Sequence, residues 1–462
     1  MTPLNSKAKI HESSEGKSLI AKKSTSLSSS KSSCHRWCPI SSPNFRIAVL
    51  ALVGDGYDVN DDDDDNHHLP HPIPQKHEVH GKTILDGLIN PASSCSLVSI
   101  FLISTKDDYG SHPLTDIQYW CHNHHLSSEI TRNVKNLDML WMDPAFQDVD
   151  GVYICGGTKE HEVVYLVEQA LKAGKHVLVD DPISSSISTY HDLIQLAHAQ
   201  KLQLQETTMF LYHHGLKDFF GYTLNESTFG TICHVQIELD FPEQNFENVC
   251  NLRPYATPGA IEPYRCINDL VRYSALLGIL LFRKTNRKPL SARVIKVNRR
   301  NGTCISNCEC QIQWEGGTTL TMNCNYIESS GGTRQSIEIH SDTHAASLTN
   351  FISCRHSLEC YRVYEGCRHG RNLSIQQGES IDVDGGPLPE VSLWRRFAEF
   401  STNLHLEEEC VATMEDPKSL NRKDFLYATL QSHNVVAALT ESVKQDCGEI
   451  LLPSLDLEFL EY

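Results

Sequence analysis

The chain has 462 residues, 40% of them hydrophobic, and a formal net charge of −18. That length allows two or three domains with ordinary cores. The acidic balance excludes nucleic acid as the main partner, because phosphate recognition needs a basic face. No apolar run reaches the roughly 18 residues of a spanning helix, so no membrane segment is expected. The 17 cysteines follow no regular spacing and no hydrophobic signal segment opens the chain. They read as reduced intracellular thiols in a cytoplasmic protein, mostly filling core.

Residues 1–43 are rich in Ser and Lys and poor in large apolar residues, the composition of a disordered leader. An organelle transit peptide is the alternative, and Glu12 and Glu15 weaken it. Phe45 to Val53 is a short apolar run that ends in Gly54-Asp55-Gly56, the pattern of a buried strand entering a tight turn. A polar insertion follows over 57–80, with the acidic run Asp61 to Asp65 and the histidines His67, His68, His71, His77 and His80. It cannot supply a core, and any metal it holds reads as adventitious. Gly81 to Leu88 reads as helix and Leu97 to Ser104 as a second buried strand.

Gly151 to Gly157 is a strand running into a glycine turn. From His161 to Ala173, Val163, Leu166, Val167, Ala170 and Leu171 fall on one helical face, and Gly174 stands where a left-handed C-cap is wanted. Val177 to Val179 reads as strand, Tyr190 to Ala199 as helix and Leu202 to Leu204 as a further strand. Short links between strand and helix mean a parallel sheet with right-handed crossovers. After residue 207 the rhythm becomes alternating: Thr231 to Phe241, Ala292 to Val297, Glu309 to Trp314 and Thr318 to Asn325, with Gly316-Gly317 as a hairpin turn. Ser274 to Phe282 reads as a buried helix end, and a final helix is expected near Asp424 to Lys444. The fold class is therefore α/β: a doubly wound parallel sheet over 44–207, then a mostly antiparallel α+β domain over 208–462.

Asp150 to Pro182 is the most specific stretch. Gly156-Gly157-Thr158, His161, the run Ala173-Gly174-Lys175-His176-Val177-Leu178 and the closing Asp180-Asp181-Pro182 resemble the glucose-fructose oxidoreductase and inositol dehydrogenase family (Gfo/Idh/MocA) of two-domain Rossmann proteins. The resemblance covers about residues 44 to 460. Met209 to His214, Phe229-Gly230, Asn251-Leu252-Arg253 and Gly259-Ala260-Ile261 are similar to landmarks of a eukaryotic branch near dihydrodiol and NADP-linked xylose dehydrogenases.

The resemblance implies NADP or NAD as cofactor, lying across the C-terminal ends of the parallel strands. Gly54, Gly56, Ser104, Lys106, Gly156, Gly157, Thr158, His161 and Asp180 are then the candidate cofactor residues. Ser104-Thr105-Lys106 leans towards NADP, while Asp107 and Asp108 pull the other way. The family's Glu-Lys-Pro lysine, which acts in proton transfer, is matched by Asp181. A carboxylate can take a proton, but it cannot steady an alkoxide with positive charge. The family's Asp-x-x-x-His-x-x-Asp motif finds its nearest match in Glu262, Cys266 and Asp269, with Tyr264 as a possible proton donor. Candidate catalytic residues are thus Asp181, Glu262, Cys266 and Tyr264, with no resident metal.

The bland readings stand beside these. His161 is also the polar start of a helix, and Asp180-Asp181 could be a relic or a helix cap. Cys304, Cys308 and Cys310 suggest zinc, but without a second paired set they read as core thiols. The resemblance implies hydride transfer between NAD(P) and a hydroxyl or carbonyl carbon of a sugar, polyol or diol, a small-molecule substrate, in a possible homodimer. The altered motifs keep a second reading open, a catalytically silent binding or regulatory protein on the same fold.

Overall fold

The computed structural model describes residues 45–53, 82–104, 113–134, 136–156, 160–180, 182–184, 186–242, 263–283, 287–300, 302, 304–327, 334–351, 360–365, 368–369, 372–373, 379–382, 386–404, 422–453 and 455. The leader, the insertion with its Asp and His runs, and the landmarks at 251–253 and 259–261 lie outside the described residues. Both sheets described below belong to the compact unit Pro43–Tyr462.

The first sheet has six parallel strands: β1 (Phe45–Val53), β2 (Cys95–Ser104), β3 (Thr131–Val134), β4 (Gly151–Gly156), β5 (His176–Val179) and β6 (Leu204–Glu206). Their order across the sheet is β3-β2-β1-β4-β5-β6. Strand order reverses between β1 and β4, which opens a crevice at the strand ends there. Helices Glu160–Lys172 and Ile187–Ala199 make the crossovers on one face. Val163, Leu166, Val167, Ala170 and Leu171 are buried against Ala48, Leu50, Val152 and Ile154, so the predicted helical stripe faces the sheet. Gly174 has φ +74, the left-handed C-cap read from the sequence.

The last strand starts two residues later than its apolar pattern suggests. Lys201, at φ +55, ends the preceding helix, and the Leu202 amide folds back to donate to the Ala197 carbonyl at 2.8 Å. Leu202 is therefore buried as part of the turn, and pairing with β5 begins at Leu204.

The other face is covered from far along the chain. Helix Pro389–Asn403 lays Leu393, Trp394, Phe397 and Ala398 on Phe45, Ile47, Val49 and Tyr153. The Trp394 indole donates to the Ile84 carbonyl at 2.7 Å and meets the Tyr153 ring edge-on at 5.7 Å. The sequence reading did not anticipate this return of the chain.

The second sheet has nine strands: β7 (Ile232–Pro242), β8 (Pro289–Arg300), β9 (Cys304–Trp314), β10 (Thr319–Ile327), β11 (Arg334–Ser341), β12 (His344–Thr349), β13 (Cys360–Glu365), β16 (Glu379–Asp382) and β17 (Ile450–Leu451). A two-residue ribbon, β14 (Arg368–His369) with β15 (Asn372–Leu373), stands apart. All pairings in the nine-stranded sheet are antiparallel except β7 with β10. Gly316 and Gly317, at φ +78 and +77, make the β9–β10 turn.

Period-2 alternation buries one row per strand, among them Val235, Ile237 and Leu239 in β7 and Cys308, Cys310 and Ile312 in β9. Helices Arg272–Arg283 and Arg422–Lys444 cover that row. Ser274 to Phe282, expected as a helix end, is the buried body of the first of these helices. The second helix also sends Leu426 and Leu430 into the core of the parallel sheet, so one element serves both.

Candidate functional site

The parallel strands bring a set of polar groups to their C-terminal ends, where ligands of such sheets bind. β4 ends at Gly156, and His161 lies exposed in the first turn of the following helix. After β5, Asp180 is only 3% exposed. Its Oδ1 accepts a hydrogen bond from the Tyr153 hydroxyl at 2.6 Å and a longer one from Thr207 Oγ1 at 3.4 Å. Tyr153 is the residue that Trp394 packs against, so the docked helix backs this carboxylate.

Glu206 closes β6 and is also 3% exposed. Its Oε1 accepts from the Ile183 amide at 2.9 Å, tying down the turn after Asp180. Its Oε2 faces the Arg272 guanidinium at 3.4 Å. Arg272 donates in turn to the Tyr273 hydroxyl at 3.0 Å, with its guanidinium carbon 4.7 Å from that ring's centroid. Phe210, in the short turn Met209–Tyr212 after β6, meets the Tyr273 ring edge-on at 5.4 Å.

His433 Nε2 stands 3.7 Å from Glu206 Oε1, too far for a hydrogen bond but close enough to act through charge. Burial by itself raises the Glu206 pKa. His433, Arg272 and the Ile183 amide together outweigh it and hold the carboxyl below its ordinary value.

Arg272 and Tyr273 follow a π-helical turn, Ile267–Val271, the kind of irregularity that recurs at functional positions. Asp269 sits in that turn, 5% exposed, and accepts from the Tyr326 hydroxyl, with Arg265 Nε at 3.7 Å. Asp269 and Tyr273 are four apart, the Asp-to-His spacing of the family motif. They stand seven residues beyond the match read from the sequence.

Several sequence-predicted site residues lie elsewhere. Cys266 is 0% exposed, its Sγ 3.4 Å from Cys308 Sγ and 3.3 Å from the Cys324 carbonyl. Burial pushes this thiol well above its ordinary pKa. A neutral thiol that faces Cys308 and Cys324 on the second sheet, and not the groups linked to Glu206, is not placed to move a substrate proton, so the catalytic expectation for Cys266 is corrected. Tyr264 packs half-buried against the same core, and its carbonyl accepts the Ile267 and Asn268 amides that start the helix. Asp180 is no helix cap: Ser186 Oγ caps helix Ile187–Ala199 by accepting from the Thr189 amide at 3.3 Å.

Ser104 ends β2. Gly54, Gly56, Lys106, Gly157, Thr158, Asp181 and Glu262 lie outside the described residues. Cys308 and Cys310 are buried and Cys304 half-buried, and the described residues contain no His, Cys, Asp and Glu grouping suited to a metal ion.

The run Ala173 to Leu178 turns out to be structural. Lys175 is 7% exposed, and its Nζ donates to the Gln147 and Val149 carbonyls at 2.8 Å each. It thereby satisfies the chain end that leads into β4, and burial lowers its pKa. His176 Nδ1 accepts the Gln203 amide at 2.9 Å, fixing the approach to β6. The sequence missed Glu206, Arg272, Tyr273 and His433. Glu206 and His433 stand among polar residues and carry no local signal, Arg272 and Tyr273 only charge and aromatic character beside an apolar run, and all four are brought together by topology.

Residues 121–208 match the profile of an oxidoreductase family, NAD-binding Rossmann fold, GFO_IDH_MocA. Over that stretch the chain is similar to the Gfo/Idh/MocA family. Solved structures similar to it in fold include an inositol dehydrogenase homolog complexed with NAD+ from Azotobacter vinelandii. That match has TM-score 0.61 and 11% identity, and covers 89% of this chain and 98% of that one. An aldose-aldose oxidoreductase from Caulobacter crescentus complexed with glycerol matches with TM-score 0.57 and 13% identity, over 89% and 100% of the two chains. A 3-ketoreductase from Actinomadura kijaniata in complex with NADP matches with TM-score 0.56 and 14% identity, over 86% and 97%.

The family whose profile matches residues 121–208 is NAD-binding, and two features at the ends of the first sheet bear on a dinucleotide there. Helix Lys82–Leu88, which follows β1, carries no acidic residue in its first turn that would repel phosphate. Gly156 leaves its strand end without a side chain. Among the described residues no helix is long and apolar enough to cross a membrane.

Proposed function

We propose that the protein is an NAD(P)-dependent oxidoreductase acting on a hydroxyl or carbonyl carbon of a sugar, polyol or diol, with Arg272 and Tyr273 in the role that the family gives its lysine and histidine. One observation carries this reading: Glu206 ties the turn after β5 to Arg272 and Tyr273 at the strand ends. A cation and a hydroxyl donor are thereby linked through Glu206 to Ile183, the residue after Pro182. The nicotinamide supplies or accepts the hydride.

The chain's own groups do the rest. Tyr273 holds a proton that can pass to or from the substrate oxygen, and Arg272 offers the positive charge that Asp181 lacks. Asp181, next to the anchored Asp180, is the proposed base. Ser104 at the end of β2, followed by Lys106, supports NADP over NAD. The fold relatives named above that bind NAD+, NADP or glycerol support the same substrate and cofactor classes.

The test is turnover of Tyr273→Phe on a panel of sugars, polyols and diols. A loss of about 100-fold or more in kcat, with cofactor affinity unchanged, is the result expected for a general acid. Equal kcat in variant and wild type removes Tyr273 from the chemistry.

A further inference from the structure

We infer that Glu206 is a positioning residue of this site: it fixes the turn after β5 and the Arg272–Tyr273 pair in one frame. The inference rests on the proposed function for its catalytic meaning, but its geometry stands alone. Glu206 is the last residue of β6, so its backbone is held by pairing with β5. From there one carboxylate reaches a partner 23 residues back and another 66 residues on.

The two oxygens have different work. Oε1 accepts the Ile183 amide, two residues past Asp181. Oε2 faces Arg272, whose guanidinium donates to the Tyr273 hydroxyl. His433, on the last helix, adds a third segment facing the same carboxylate. No other acidic side chain among the described residues ends a strand of this sheet while facing a cation of the second domain. A buried carboxylate serving only as glue needs neither a strand-end location nor a partner that touches the proposed acid. A displacement of about 1 Å between reacting groups costs on the order of 100-fold in rate, so a node of this kind sets kcat without touching substrate.

The test uses the full chain with Glu206→Gln and Glu206→Ala. Hydrogen exchange is read at the Ile183 amide, NADPH affinity by nicotinamide fluorescence, and kcat and KM with NADP+ and a polyol panel. In Glu206→Gln the side-chain carbonyl still accepts from Ile183 while the charge facing Arg272 is lost. Ile183 protection and NADPH affinity should stay within about threefold, and kcat should fall about 10- to 100-fold. In Glu206→Ala, Ile183 protection should fall about tenfold or more. The double variant Glu206→Gln with Arg272→Gln should lose no more kcat than the worse single variant, because both break one contact.

Wild-type kcat in Glu206→Gln overturns the inference, as does a kcat loss that only tracks the unfolded fraction, or wild-type Ile183 protection in Glu206→Ala. If Glu206→Ala does not fold, Glu206→Asp replaces it; its carboxylate keeps the charge but stops a methylene short of Ile183. A wild-type chain that binds NADPH but turns over nothing in the panel sinks the proposed function instead, and the exchange measurement then decides Glu206 by itself.

Discussion

Replacing Trp394 with Ala removes the largest side chain that helix Pro389–Asn403 presses onto the parallel sheet. Trp394 is 0% exposed, packs edge-on against Tyr153 and Phe397, and donates to the Ile84 carbonyl at 2.7 Å. Loss of a buried Trp leaves a cavity that costs about 3–5 kcal/mol. The lost hydrogen bond adds about 1 kcal/mol. Trp394→Ala should therefore destabilise the chain by about 5 kcal/mol. Trp394→Phe keeps a ring in the gap and should cost about 1–2 kcal/mol. Urea unfolding followed by far-UV circular dichroism reads both. A cost under about 2 kcal/mol for the alanine variant would mean that this helix is not docked on the sheet, and the backing of Tyr153 and Asp180 would go with it.

Gly230 has φ +90, and a Cβ there would come within 2.2 Å of Asp342 Oδ1 and 2.4 Å of Thr343 Oγ1. Gly230→Ala should cost about 2 kcal/mol or more, read by thermal melting, because both the backbone conformation and the space resist it. The folded-state pKa of Glu206 lies below its ordinary value, near 4.5. Its ionised form then contributes stability that is complete above the unfolded pKa and is lost as pH falls through the folded one. Glu206→Gln should flatten the fall in melting temperature below about pH 4.5; an unchanged acid limb would remove Glu206 from that balance. Asp181→Asn removes the proposed base and should lower dehydrogenase turnover on polyols by about 100-fold or more. Unchanged turnover in a folded, cofactor-binding variant counts against the catalytic reading.

Most of the parallel sheet was legible in the sequence because its apolar strands and their crossover helices carry their own signal; β3, the short polar strand Thr131–Val134, does not and was not read. Phe45 to Val53 is an unbroken apolar strand, and the stripe from Val163 to Leu171 has helical spacing with Gly174 to end it. Strands β7 to β10 of the second sheet were legible from alternation, with the Gly316-Gly317 turn, while β11, β12, β13, β16 and β17 were not read. The docking of helix Pro389–Asn403 on the first sheet was not, because nothing local in an amphipathic helix says which of two sheets it covers. The site failed for a related reason. Cys266 fits the spacing of a motif, yet the helix turns it onto the second sheet, while Arg272 and Tyr273, each only 3% exposed, are the pair linked to Glu206 at the end of β6. Glu206 gave no spacing signal at all, since its partners come from 23 residues before it and 66 after.

The central claim is that this fold still holds a nicotinamide dinucleotide. Direct titration of the purified full-length protein with NADPH, NADH and their oxidised forms, by calorimetry or nicotinamide fluorescence, tests it most directly. The account predicts micromolar binding with NADPH preferred; a well-folded sample that binds none of the four at millimolar concentration would contradict it and leave the silent-scaffold reading in its place.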